Sequence, residues 1–295
     1  MNAGVRGKTV RAVMVLAHNE ASHIVRCLDS IYRAEPERGF EVFVVANGCT
    51  DSTEEVVLTY AKEQPGVNLI QLGIADKCNA WNVYIHDVIP RRIPGRSVYF
   101  FMTGDAQAYP KAFSHLERAL DLRSGALAAA AVPFSGRTMH YDRAMIQSKH
   151  GLVANLYALK GNFIARLQEQ NIRLPLGLEG DDGLIGALVK WDLEPRKDWV
   201  ESRIVSCGDA GFTFESLSWR RWLDWKQYWR RRIRYARRRY EVQLLRTRLK
   251  TQGIAGLPAS VSDLYGGVDT CRVKWAGLEP LFCWLAKREM RRRVP

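Results

Sequence analysis

The first hundred residues alternate short strand-forming runs with helical stretches, and that alternation limits the fold more than any other feature of the chain. Residues 10–16 are apolar apart from Arg11, and Ile24, Leu28 and Ile31 recur at helical spacing over about residues 21–32. Residues 42–46, 67–72 and 98–102 predict three more strands. The turn at 47–52 leads into a helix through about Lys62, with Asp51 or Ser52 as its cap, and a further helix covers about residues 79–88. Strand and helix in steady alternation predict an α/β fold with a mostly parallel sheet covered on both faces.

Beyond residue 110 the pattern weakens. A strand over 126–132, a helix over 145–159 and a second helix over 161–169 lead to an acidic, glycine-rich segment at 177–183. A helix from Leu184, a strand near 203–206 and then Trp- and Arg-rich helices follow. Residues 252–270, with four Gly and one Pro, predict a loop, and residues 278–293 a short amphipathic tail.

With 295 residues, 47% of them hydrophobic, the chain can bury a large core. No run of 18 apolar residues occurs, so no membrane span is expected, and the short apolar stretch near the start reads as a strand rather than a leader. Six cysteines are scattered without a C-x-x-C pair, which favours buried thiols in a reducing, cytoplasmic compartment over a disulfide frame or zinc site. The net charge of +13 is locally concentrated: residues 219–240 hold ten Arg or Lys and one Asp. Such a focus suits a polyanion, a phosphorylated donor or an anionic membrane face.

Ligands of parallel sheets sit beyond the carboxyl ends of the strands, so chemistry is sought there. Those positions hold His18, Asn19 and Glu20 after the first strand, Asn47, Gly48 and Asp51 after the second, and Asp105 with Gln107 after the fourth. A lone Asp at a strand end is usually a turn residue; three polar strand ends in one sheet are harder to read that way. His18, His140 and His150 have no metal-ligand spacing and read as polar surface or satisfied core.

With these motifs in order, the chain resembles the inverting glycosyltransferases of family 2, which have the GT-A fold, through roughly residues 10–235. The family's P-x-x-N-E loop is matched by Ala17, His18, Asn19 and Glu20, and its D-G-S-x-D turn, which grips the nucleoside, by Asn47, Gly48, Cys49, Thr50 and Asp51. Its K-x-x-A-x-N signature is matched by Lys77 through Asn82, where the lysine would hold a phosphate as a point charge. The D-x-D element, near the divalent ion in the family, appears as Asp105-Ala106-Gln107, which replaces one acid with a neutral oxygen. Gly180-Asp181-Asp182 matches the site whose second acid is the catalytic base, making Asp182 the expected base, Asp181 its tuner and Glu179 a weaker alternative. The Q-x-x-R-W element is met only in part, by Gln227 and Arg230, with a second partial match at residues 218–222.

The resemblance implies a GT-A catalytic domain over 1–215, with a nucleotide-binding half at about 8–110 and an acceptor half at about 111–215, and a helical appendage over 216–295. It implies Mg²⁺ or Mn²⁺, a nucleotide-sugar donor, UDP-linked by preference, and an acceptor hydroxyl that is soluble or lipid-linked at the inner membrane face. Without the membrane helices of processive relatives, one sugar per encounter is expected. The rival readings are an inactive relative repurposed to bind nucleotides or polyanions, a nucleotidyltransferase and a nucleic-acid binder. The nucleotidyltransferase lacks a Gly-rich basic loop after the first strand, and the nucleic-acid binder leaves the polar strand ends and Asp182 unexplained.

Overall fold

The computed structural model describes residues 10–136, 139–214, 222–273 and 277–294, with the side chains of 222–228 outside that description. The described residues fall into two compact units. The first takes those within Met1–Asp76, Ala80–Asn171 and Val200–Glu215, and the second those within Lys77–Asn79, Ile172–Trp199 and Ser216–Pro295.

The first unit is built on one eight-stranded sheet. β1 (Arg11–Ala17), β2 (Phe40–Asn47), β3 (Val67–Leu72), β4 (Val98–Thr103), β5 (Ala106–Ala108), β6 (Ala128–Pro133), β7 (Leu156–Lys160) and β8 (Ile204–Phe214) lie in the order β3-β2-β1-β4-β7-β6-β8-β5. β3, β2, β1 and β4 run parallel, as the alternation with helices predicts. From β4 onward the sheet is mixed, with β7 antiparallel to both β4 and β6, β8 parallel to β6, and β5 antiparallel to β8.

α1 (Ile24–Ala34) and α2 (Thr53–Glu63) are the crossovers of the parallel half. α1 buries Ile24, Cys27, Leu28 and Ile31, a stripe at helical spacing, and these join Val13, Val15, Val42 and Val44 in the core. The one charge inside β1, Arg11, is 4% exposed and is met by Glu35 at 3.0 Å and Glu117 at 2.5 Å. The helix expected at 79–88 extends both ways: α3 (Lys77–Val83) passes through a π-turn at Tyr84–Val88 into α4 (Ile89–Arg92). α5 (Ala112–Asp121) packs Phe113 and Leu116 into the same core.

One local expectation fails here. The helix predicted over 145–159 is α6 (Met139–Lys149) followed by strand β7, because Leu156 to Leu159 is a short apolar run that is buried on both sides, where helical and strand periods cannot be told apart. Of the two cap candidates for α2, Asp51 supplies the hydrogen bonds, while Ser52 occupies the cap position without a side-chain cap bond. α7 (Gly161–Glu169) forms where expected.

The second unit is helical. α8 (Asp181–Trp191) starts three residues before the predicted Leu184, so both acids lie in its first turn. The Trp- and Arg-rich region is a single 31-residue helix, α9 (Trp222–Gln252). The predicted loop at 252–270 contains two 3₁₀ segments, Gly253–Gly256 and Val261–Thr270, the latter opened by a reciprocal Ser260 and Asp263 capping box. α10 (Glu279–Arg291) is the tail helix. Part of the positive charge of α9 is matched within the unit: Arg232 and Arg239 both meet Glu279, Arg237 meets Glu179, Glu241 and Glu289, and Arg238 meets Asp182. Of the ten basic residues of 219–240, these four are engaged by carboxylates of the same unit. Among the described residues no helix is long and apolar enough to cross a membrane. The six cysteines are free, five of them buried.

Candidate active site

In the first unit, the parallel pairing sets Ala17 opposite Ala46 and Leu16 opposite Thr103, so the ends of β1, β2 and β4 are adjacent. The loops leaving them are tied together by the residues singled out from sequence. Asn19 takes a left-handed φ of 57°, and its Oδ1 accepts from Thr50 N at 2.7 Å. Asp51 Oδ2 accepts from Ala21 N at 3.1 Å, while Oδ1 accepts from Thr53 N at 3.0 Å and Thr53 Oγ1 at 2.5 Å. Burial opposes ionisation of Asp51, but the Thr53 and Ala21 hydrogen bonds outweigh it and hold this carboxyl below its ordinary range. Thr53 Oγ1 in turn accepts from Glu20 N at 2.8 Å. Thr50 and Thr53 belong to the turn read from the sequence, but their bonds to the Asn19–Glu20 loop were not foreseen, since these depend on the pairing of two distant loops.

Asn47 is 3% exposed and has a fixed orientation. Its Oδ1 accepts from Asp76 N at 2.8 Å; a backbone N–H can only donate, so the amide NH₂ is the face left for other partners. The Asn47 carbonyl accepts from His18 Nδ1 at 2.7 Å, which makes His18 a loop tie rather than a ligand. Gly48, at φ 61°, approaches so closely that a Cβ there would sit 2.5 Å from Ala75 N.

Glu20 and Asp105 feel each other. Burial, then the negative charge of Asp105, raises the Glu20 carboxyl above its ordinary range, against the pull of His23, whose Nδ1 lies 2.9 Å from Glu20 Oε2. Gly104 allows this approach, because a Cβ on it would lie 3.3 Å from Glu20 Cγ. Gln107, on β5 opposite Thr213, is partly exposed. Two neighbouring carboxylates with an amide oxygen close in sequence are a hard-oxygen donor set. Among the described residues no cluster of three or more His, Cys, Asp or Glu side chains forms a metal cage. Oxygen donors of this kind suit an ion of the Mg²⁺ type, which needs one or two protein carboxylates. Ala17 is fully buried and offers only its backbone, and Asn82 is buried in α3 at 5% exposure.

In the second unit, Gly180 stands at the cap position of α8, and Asp181 and Asp182 lie where a helix N-terminus favours negative charge. Asp182 Oδ1 accepts from Gly183 N at 2.8 Å and from Arg238 Nη2 at 2.6 Å. Burial, then the charge of Asp182, raises the Asp181 carboxyl, while Lys77 and Arg238 pull it down. Lys77 is exposed, and the next residue anchors its turn, with Cys78 Sγ donating to Leu178 O at 3.7 Å.

The acid turn is held from α9. Glu241, with no exposed side-chain surface, accepts from Glu179 N at 3.1 Å and from Tyr265 Oη at 2.7 Å, while Arg237 of the same helix bonds the Glu179 carboxylate. Glu179 is thus engaged as a brace. Arg237, Arg238 and Glu241 escaped sequence reasoning because an Arg-rich helix conceals which of its members turn inward. Arg230 is exposed on α9, and the Gln227 side chain and residues 218–221 lie outside the described ones.

A sequence model described as glycosyl transferase family 2 matches residues 12–173, over half of the chain and ending before Asp181. No curated protein matches the sequence. Among solved structures, a mannosyltransferase from Pyrobaculum calidifontis in complex with GDP-Man and Mn²⁺ is similar at 19% identity and TM-score 0.59, over 97% of this chain and 82% of that one. Glucosyl-3-phosphoglycerate synthase from Mycobacterium tuberculosis, with Mn²⁺, UDP and glucosyl-3-phosphoglycerate, is similar at 17% identity and TM-score 0.52, over 78% of each chain. TarS of S. aureus with UDP-GlcNAc is similar at 14% identity and TM-score 0.50, over 97% of this chain and 88% of that one.

Proposed function

Since this chain belongs to glycosyl transferase family 2, we propose that it is a non-processive enzyme that moves one sugar from a nucleotide diphosphate, UDP by preference, to an acceptor hydroxyl with inversion at the anomeric carbon. The observation that carries the reading is the meeting of the β1, β2 and β4 ends, where Ala17 lies opposite Ala46 and Leu16 opposite Thr103 and the Asn19 and Asp51 loops are hydrogen-bonded to each other, a place beyond the parallel strands for a charged diphosphate. The nucleotides in the structural neighbours, GDP-Man, UDP and UDP-GlcNAc, support a nucleotide-sugar donor.

In this reading the turn braced by Asp51, the Asn19 loop with the Ala17 backbone, and the Asn47 amide receive the nucleoside. Asn82 supports the helix that carries Lys77, and Lys77 meets a phosphate as a point charge. Asp105, with Gln107 and Glu20, would hold Mg²⁺ or Mn²⁺; the Mn²⁺ of two neighbours supports such an ion. When bound, the ion would offset charge on the departing diphosphate. Asp182 takes the proton of the acceptor hydroxyl as its oxygen bonds the anomeric carbon and the bond to the diphosphate breaks. Arg238 orients Asp182 for that task, Asp181 tunes it, and Gln227 and Arg230 clamp the leaving nucleotide.

A lipid-linked acceptor at an anionic membrane face is favoured by α10. Leu278, Leu281 and Trp284 are exposed at spacing that keeps them on one side, and Arg288 lies over the Trp284 ring at 5.5 Å. The test is release of nucleoside diphosphate by purified protein with Mg²⁺ or Mn²⁺ across UDP-, GDP-, dTDP- and CDP-sugars, with and without a lipid extract. Stimulation by the extract with one donor is the expected result; no binding of any nucleotide sugar would refute the transferase reading.

A further inference from the structure

Beside the acid turn the second unit contains a cavity of about 130 Å³. Gly180 and Gly183, which flank Asp181 and Asp182, form part of its wall, and α8 and α9 form the rest with Leu184, Trp191 and Leu245. Trp199 closes one side, set edge-on to Trp191 at a centroid distance of 5.2 Å and 43% exposed. The lining is mainly carbon, with Arg246 the one charged side chain on it, so a sugar hydroxyl inside would lose most of its water partners, whereas a hydrocarbon group would gain. Glycine at 180 and 183 keeps the wall thin next to the acids: a Cβ on Gly180 would lie 3.2 Å from Arg238 Nε.

We propose that this cavity is a subsite for an apolar group carried by the acceptor close to the hydroxyl that Asp182 deprotonates, an assignment that rests on the transferase reading and narrows its acceptor to amphiphiles. The size sets the group. A cavity near 150 Å³ takes a benzene-sized ligand, so this one holds a ring or a chain of roughly six carbons. The group enters past Trp199, and the polar part of the acceptor stays at the acid turn. A wholly hydrophilic acceptor leaves the cavity without a partner.

The test uses the full chain and two probes, n-hexyl β-D-glucoside and methyl β-D-glucoside, titrated by calorimetry, with a UDP- or GDP-sugar titrated into the same preparation. The hexyl probe is expected to bind at least about tenfold tighter than the methyl probe, from burial of its methylenes. Ala187→Phe, which fills the cavity from α8, is expected to abolish that preference and leave nucleotide-sugar binding unchanged. Trp199→Ala, which removes the ring that packs on Trp191 at the cavity edge, is expected to reduce it. Equal binding of the two probes, or a hexyl preference that survives both substitutions, overturns the subsite. Loss of nucleotide-sugar binding in the unaltered protein would instead overturn the transferase reading while leaving the hexyl preference measurable.

Discussion

Arg238 Nη2 lies 2.6 Å from Asp182 Oδ1, so the carboxylate proposed as base is aimed by a cation from α9. Asp182→Asn keeps the shape and removes the base, and turnover is expected to fall by roughly 10²–10⁴ while nucleotide-sugar affinity is kept. Arg238→Met, which frees the carboxylate without removing it, is expected to give a smaller loss that falls on kcat. Steady-state nucleoside diphosphate release on both variants separates base from aimer, and an unchanged rate for Asp182→Asn would move the role to another residue.

The neighbouring acid should register in stability. Burial and the charge of Asp182 raise Asp181, so the folded state holds a proton there that the unfolded state has released. The contribution of Asp181 is present below the ordinary Asp range and lost as pH rises through its raised value. Asp181→Asn is therefore expected to be more stable than the parent at neutral pH, with the difference shrinking as pH falls through the raised value and levelling off below about 4. Urea denaturation across pH checks the sign.

Glu241 is a carboxyl without exposed surface, pushed above its ordinary range by burial, that ties Glu179 N and Tyr265 Oη to α9. Its removal as Glu241→Ala leaves Arg237 short of one carboxylate and the acid turn without its anchor. The expected cost is about 3–5 kcal/mol. Thermal unfolding measures it, and Tyr265→Phe, which deletes one bond from the same group, should cost about 1 kcal/mol.

At Gly48 any side chain meets backbone, since its Cβ would lie 2.5 Å from Ala75 N at a φ of 61°. Gly48→Ala should lose about 1–3 kcal/mol from strain and displace the turn that presents Asn47. Weaker nucleotide binding at temperatures where the variant is still folded would be the functional signature.

Gln107 supplies a neutral oxygen where a carboxylate would add charge. Gln107→Asp is expected to lower the half-activating Mn²⁺ concentration by about tenfold, and Asp105→Asn to raise it. Manganese titrations of turnover after chelator treatment measure both, and activity indifferent to chelator would remove the ion from the proposal.

The parallel half of the sheet was readable because its strands alternate with amphipathic helices, so Ile24, Leu28 and Ile31 and the valines of β1 and β2 identify their own layers. Strand β7 was not, because Leu156, Tyr157, Ala158 and Leu159 are all buried and leave no polar phase to fix the period. Within the candidate site, Glu20, Asn47, Asp51 and Asp105 stand out because polar residues follow apolar strands. The braces Thr53, Arg238 and Glu241 do not, since each acts through a partner at least thirty positions away and its own neighbourhood reads as ordinary surface.

The family match stops at residue 173, eight positions before Asp181, and α9 lies further on. The helix that would pass for a trailing extension grips the acid turn by three side chains, Arg237, Arg238 and Glu241. The chain is thus indivisible where its family signature would suggest a cut. A gene trimmed after β8 would still encode the polar strand ends, yet its acids would be left without their scaffold, so sequence drift in α9 reaches Asp182 without touching it.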